Sequence, residues 1–185
     1  MKRIFAAIKI NPNENFLQLF YRLKHAMKND KIKWVAEENI HITLKFFGET
    51  DEKTIASICE VLDDVSCDFQ AFTINFSKVG IFGSSYKPRV IWFGIESNAA
   101  LLSIEKNLND KLERIGIKND RQNFVPHLTI ARIKSIWDKK SFQREIHKYK
   151  NIEIQNFHVE KIILFESILR PQGPKYEIIE SFNLA

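Results

Sequence analysis

Apolar side chains along this chain recur with two different periods, and the switches between them outline its elements. Residues 3–10 are apolar almost throughout and predict a strand. Asn11-Pro12-Asn13 ends it. Phe16, Phe20, Leu23 and Met27 then predict a helix over about 13–28 with one buried stripe. Trp34-Val35 leads into a strand at 40–47, which Gly48 should close. Ile55, Ile58, Leu62 and Val65 restore the helical period over 51–65. Phe72, Ile74 and Phe76 alternate within a strand at 69–79, and 89–95 predicts another. Between them Gly80 to Pro88, with Gly83-Ser84-Ser85, predicts a mobile loop. Leu101, Ile104, Leu108, Leu112 and Ile115 mark a third helix over 98–115, stopped by Gly116. Pro126 introduces a strand at 127–133, and a Lys-rich helix follows at 137–149. Strands near 151–158, 160–168 and 175–182 finish the chain, the last two joined by the turn Pro171-Gln172-Gly173-Pro174. Strands that follow one another without an intervening helix favour an α+β fold with largely antiparallel sheets.

One tetrapeptide occurs twice. His41-Ile42-Thr43-Leu44 returns as His127-Leu128-Thr129-Ile130, 86 residues later. With five His and five Thr in the chain, a single His-x-Thr is expected only about 0.13 times by chance. Each copy lies in a strand-like run with strand-helix-strand around it, so a duplicated unit giving two facing lobes is the simplest account. No linker separates the halves, and residues 1–185 should pack as one two-lobed domain. In a strand, His and Thr two residues apart share a face. Two imidazoles supply an acid and a base near neutral pH, and two hydroxyls supply hydrogen bonds to an anionic oxygen. The pattern itself does not say which His is the acid.

Composition narrows the classes. Hydrophobic content of 44%, with 15 Phe, supports a packed globule rather than a disordered chain. The net charge of +5 suits a polyanionic partner. No apolar run approaches the ~18 residues of a membrane span, and the basic-apolar start is broken by Lys9, which predicts a first strand and a cytoplasmic protein with no membrane association. Cys59 and Cys67 lack nearby paired His and predict plain thiols, not a zinc site. With neither a ligand-spaced carboxylate cluster nor a Gly-rich phosphate loop, the sequence predicts no metal and no cofactor.

The motifs extend into longer stretches: Arg3-Ile4-Phe5-Ala6-Ala7-Ile8; Asn39-Ile40-His41-Ile42-Thr43-Leu44-Lys45-Phe46-Phe47-Gly48-Glu49; Pro88-Arg89-Val90-Ile91-Trp92-Phe93-Gly94; Phe124-Val125-Pro126-His127 through Arg132; Phe165 through Leu169; and Gly173-Pro174-Lys175-Tyr176. On these residues the chain resembles the two-histidine (2H) phosphoesterase superfamily and, within it, the RNA 2′,3′-cyclic phosphodiesterases formerly called 2′-5′ RNA ligases. The resemblance implies two lobes, each a curved, mainly antiparallel sheet backed by helices, with both tetrapeptides lining the cleft between them. It implies His41 as proton donor, His127 as proton acceptor, and Arg132 on the substrate phosphate. Strand parity would turn Arg132 away from His127, so a bulge, the strand end or the side chain's length must bring it round.

The implied reaction is hydrolysis of RNA 2′,3′-cyclic phosphate ends to a 2′-phosphate, with Thr43 and Thr129 holding non-bridging oxygens and 2′-5′ ligation as the reverse. No obligate protein partner is evident. Two alternatives keep part of this picture: a phosphodiesterase for small nucleotide cyclic phosphates or 2′-5′ oligonucleotides, and a module that binds RNA ends without turnover. Elsewhere, His25 and His147 are expected on solvated helix faces, and His158 at a strand that could border the cleft. Phe5, Phe47 and Trp92 are expected in the core rather than as base-stacking surfaces. Lys87 and Arg89, beside the expected loop, are expected either to guide a phosphate backbone or to form a solvated rim, and Lys139, Lys140, Lys148 and Lys150 to form a wet face.

Overall fold

The alternating periods resolve into two antiparallel sheets and four helices among residues 1–119, 124–171 and 173–185, which the computed structural model describes. In chain order these are β1 (Lys2–Lys9), α1 (Glu14–Ala26), β2 (Lys31–Trp34), a 3-10 turn (Glu37–Asn39), β3 (His41–Thr50), α2 (Glu52–Cys67) and β4 (Phe72–Gly83). They continue with β5 (Pro88–Ile95), α3 (Ala99–Arg114), β6 (His127–Ser135), α4 (Lys139–Lys148), β7 (Glu153–Val159), β8 (Lys161–Ile168) and β9 (Lys175–Asn183).

Local chemistry explains the helix limits. Asn13, Asp51, Asn98 and Asp138 each accept a backbone N–H of the first helical turn, supplying partners that the helix itself cannot. Gly116, at φ +85°, ends α3: its N–H reaches the Glu113 carbonyl, and the Ile117 N–H reaches Leu112 at 3.0 Å. Ile115 therefore caps the helix and is 44% exposed rather than part of the buried stripe.

The strand orders are β3-β1-β8-β9 and β2-β6-β5-β4-β7, with every pairing antiparallel. Setting β2 aside, the sheets correspond strand for strand: β3 to β6, β1 to β5, β8 to β4 and β9 to β7. In each, a helix lies in the chain between the first two corresponding strands. The short β2 was not anticipated: Lys31-Ile32-Lys33-Trp34 does alternate, but four residues give too little pattern to register.

The helices cross over between sheets. α1 leaves the four-stranded sheet but packs on the five-stranded one, where the Phe16 ring lies 4.8 Å from Phe93 and 6.4 Å from Phe76. α2 lies against β8, β9 and α3. One continuous core therefore takes side chains from both sheets, including Ile4, Ile8, Ile74, Phe93, Leu128 and Leu164. No helix among the described residues is long and apolar enough to cross a membrane.

Two loop expectations change. β4 runs on to Gly83, so the expected mobile loop from Gly80 reduces to a turn at 84–87, where Ser84 Oγ accepts the Lys87 N–H at 2.9 Å. Gly48 does not close β3, which continues to Thr50. At φ +78° it takes up a register shift against β1 inside the strand. Gln172, in the expected Pro-Gly turn, lies outside the described residues.

Because Phe16 is fully buried between two sheet phenylalanines, Phe16→Ala should cost about 3–5 kcal/mol in denaturant unfolding. A loss below about 1 kcal/mol would mean that α1 does not hold the sheets together.

Candidate active site

The two motif strands face each other. β3 lies against β6, and His41, Thr43, His127 and Thr129 line one cavity of about 260 Å³. The same walls carry Arg3, Phe5, Phe46, Arg132, Ser167 and Tyr176, and among the described residues no lining side chain is acidic.

An extra residue in each motif strand sets which side chains arrive there. In β3, Thr43 pairs with Ala7 and Lys45 with Ala6, so Leu44 is inserted. In β6, Thr129 pairs with Trp92 and Ala131 with Ile91, so Ile130 is inserted. The two strands accordingly share one burial sequence. His and Thr face the cavity, the next two residues (Leu44 and Lys45, or Ile130 and Ala131) are both buried, and Phe46 or Arg132 returns to the cavity face. Simple alternation would have turned Arg132 away, and the bulge at Ile130 reverses its parity. The lobes then differ in what fills this position. Arg132 supplies a cation from the motif strand itself, whereas Phe46 carries a cation from β1, the Arg3 guanidinium 4.9 Å from its ring centroid. Lys45, only 3% exposed, donates from Nζ to the Lys118 carbonyl at 3.2 Å and so ties β3 to the segment that leads into β6.

Both imidazoles are oriented in the same way. His41 Nδ1 lies 2.6 Å from the Asn39 carbonyl, and His127 Nδ1 lies 2.7 Å from the Val125 carbonyl. A carbonyl can only accept, so each Nδ1 carries the hydrogen and Nε2 remains for a substrate. Asn39 also donates from its side chain to the Pro174 carbonyl at 2.9 Å, fixing the turn before His41 against the β8–β9 connection. Phe5 and Tyr176 flank the His41 ring at 5.0 and 5.3 Å, and Phe82 meets the His127 ring edge-on at 4.6 Å.

This enclosure sets the electrostatics. Burial pulls the His41 imidazole below its ordinary 6.5; the Asn39 carbonyl opposes this, and the charges of Arg132 and His127 lower it further. Burial also lowers His127, opposed by the Val125 carbonyl and reinforced by Arg132. Burial raises the Tyr176 phenol, against the pull of Arg132 and Arg3. Arg132 thus acts on both imidazoles and on the phenol.

The remaining candidates divide. Phe5 is both buried and on the cavity wall. Phe47 packs on the core. Trp92 shares a face with its partner Thr129, but its ring fills the space over Gly80, where an added Cβ would sit 2.2 Å from the indole. His158 stays away from the cavity, with Nδ1 3.4 Å from the Thr73 hydroxyl. His25, His147, Lys87 and Arg89 are exposed. Cys67 is exposed, and burial pushes the Cys59 thiol up to about 12, so Cys59 stays protonated. Among the described residues no group of three or more His, Cys, Asp or Glu side chains is placed to hold a metal ion. Arg3, Tyr176 and Phe46 were not foreseen as wall residues. β1 is apolar on both faces, which hides the alternation that would have marked Arg3 and Phe5.

Comparison with known proteins gives the same division of the chain. The description "LigT like Phosphoesterase" matches it twice, over residues 8–92 and 94–176, one motif in each match. The chain belongs to this phosphoesterase family. The matches begin 86 residues apart, the interval between His41 and His127. The family member named RNA 2′,3′-cyclic phosphodiesterase in Methanocaldococcus jannaschii is 39% identical over 97% of this chain and 99% of its own. The protein of the same name from Thermotoga maritima is 34% identical, over 96% of this chain and 92% of its own. A Thermus thermophilus protein superposes with a TM-score of 0.82 at 24% identity, covering 98% of this chain and 97% of its own. Escherichia coli LigT complexed with 3′-AMP does so at 0.78 and 20%, covering 100% and 98%. These two structures share the fold.

Removing the Arg132 charge should let both imidazoles titrate at higher pH. In Arg132→Met, NMR titration of the ring Cε1 protons should show His41 and His127 moving upward together toward 6.5. If only one moves, Arg132 does not sit between them.

Proposed function

We propose that this phosphoesterase hydrolyses RNA 2′,3′-cyclic phosphate ends to 2′-phosphates by general acid–base catalysis that needs no metal. The observation that carries this reading is the pairing of two Nδ1-anchored imidazoles, one per lobe, in a cavity lined, among the described residues, by two arginines and no carboxylate. Such a cavity suits an anion flanked by an acid and a base, and the names of the relatives supply the RNA cyclic phosphate as substrate.

In the proposed reaction His127 Nε2 takes a proton from water as its oxygen forms a bond to phosphorus. The bond from phosphorus to the 3′-oxygen breaks in line, and His41 Nε2 delivers a proton to that oxygen. One P–O bond and one O–H bond form for each that breaks, and the two histidines exchange charge states. Thr43, Thr129 and Arg132 hold the non-bridging oxygens, whose charge shifts in the transition state. The assignment of His41 as acid and His127 as base follows the family resemblance. With an RNA 5′-hydroxyl in place of water as the nucleophile, the same steps make a 2′-5′ linkage.

Each proton transfer contributes about 10²–10⁴ in rate. His41→Ala and His127→Ala should therefore each lower kcat by at least about 100-fold, on a nucleoside 2′,3′-cyclic phosphate and on RNA, with excess chelator leaving the parent rate unchanged. Near-parental rates in either variant would remove that histidine from the chemistry, and binding without turnover would make the protein an RNA-end binding module.

The pH dependence follows from the lowered pKa values. Activity needs a neutral base and a charged acid, so it falls on the acid side as the base protonates and on the alkaline side as the acid loses its proton. Both groups lie below 6.5 in the free protein, so kcat/KM should be greatest below pH 6.5. A bound phosphate anion stabilises both imidazolium forms, so the kcat profile should be displaced upward. Coincident profiles would show that the bound phosphate does not recharge the imidazoles.

A further inference from the structure

On the basis of that function, we propose that the β4–β5 turn and the first turns of α4 form a second contact for the RNA strand, outside the catalytic cavity. The surface begins where the cavity ends. Phe82, Val90 and Arg132 are cross-strand partners on β4, β5 and β6 and so share one face. Arg132 lines the cavity and Phe82 touches the His127 ring. The next pair outward is Gly83 with Pro88, and the turn at 84–87 follows. Tyr86 is four residues from Phe82, at most ~14 Å of extended chain. A strand with its terminal phosphate between the histidines therefore reaches this turn with its neighbouring nucleotides.

The turn is built rather than merely wet. Gln143 on α4 donates to the Ser85 carbonyl at 3.1 Å, and the Lys139 ammonium sits 3.6 Å from the Tyr86 ring centroid. Tyr86 is nevertheless 76% exposed. One face of its ring is held by the cation, and the other is open to a base. Aromatic rings beside cations are what single-stranded nucleic acid binds, because any base can stack and every linkage carries a charge. Lys87, Lys140 and Arg144 are exposed beside it and form no ion pair among the described residues. The acidic neighbours are occupied: Asp138 accepts the Lys140 and Ser141 amides of its own helix, and Glu145 pairs with Lys148 at 2.5 Å. The free charge of the patch is positive, complementary to a phosphate backbone.

The test compares two substrates. In Lys139→Ala/Lys140→Ala/Arg144→Ala, and separately in Tyr86→Ala, KM for a single-stranded RNA of about ten nucleotides ending in a 2′,3′-cyclic phosphate should rise at least about fivefold at low salt with kcat unchanged. Kinetics on a nucleoside 2′,3′-cyclic phosphate should stay at the parental values. Loss of three phosphate contacts should flatten the plot of log Kd against log salt by about two, measured with the same RNA ending in a 3′-hydroxyl. Unchanged RNA affinity would overturn the proposal. So would a parallel loss on both substrates, or an acidic peptide that binds this patch while RNA does not. Should the parent protein hydrolyse neither substrate, the function proposed above fails; the binding measurement still decides the patch.

Discussion

The arrangement of this cleft depends on one extra residue in each motif strand. A regular strand can send His, Thr and the residue two further on toward a ligand, and nothing in between. Inserting Leu44 and Ile130 after the threonines lets each strand bury two successive residues and then bring a third functional side chain back to the same face. That third side chain is Arg132 in one lobe, and in the other Phe46 with Arg3 above it. The bulge also bends the strand, which suits sheets curved around a shared ligand. A one-residue deletion at either insertion would turn everything beyond the threonine away from the cavity.

The histidines show how burial and charge act together. The His41 ring lies against Phe5 and Tyr176 and the His127 ring against Phe82, and each is braced by a carbonyl two residues upstream, which fixes the tautomer without adding a negative charge. A carboxylate in that place would hold the imidazole charged. A carbonyl orients it and leaves its titration to desolvation and to Arg132. The cavity is therefore positive through its arginines, while its imidazoles prefer to be neutral. In the proposed reaction the bound phosphate anion stabilises the imidazolium, which takes its proton from solvent, so the acid is charged when there is something to protonate.

Much of this was legible in the sequence, and the failures have specific causes. The helical stripes and alternating strands gave the elements because burial imposes those periods, and the repeated tetrapeptide gave the duplication. The bulges were illegible because inserted Leu44 and Ile130 are apolar residues in apolar runs, with nothing to mark them as out of step. Arg3 was missed because the apolar run of β1 hides its alternation, and Tyr176 because β9 does not pair with β3, so that only the assembled sheet puts it beside His41. Ile115 carried the helical period one residue too far, since hydrophobicity cannot distinguish the last buried turn from a cap.

Duplication explains the opposed histidines, and the crossed helices explain why they stay opposed. A single lobe can place one imidazole on one side of a phosphate, while in-line displacement needs groups on both sides. Two copies related face to face provide this without any new loop. Two independently hinged lobes would let the distance between imidazoles drift, and a small error in distance is costly for proton transfer. Here α1 passes from one sheet to pack on the other, α2 lies between the four-stranded sheet and α3, and Lys45 reaches from one motif strand to the segment entering the other. Separating the lobes would open the common core at Phe16, Phe76 and Phe93. The apolar contacts that hold the fold are thus the same ones that keep the two imidazoles in one cavity.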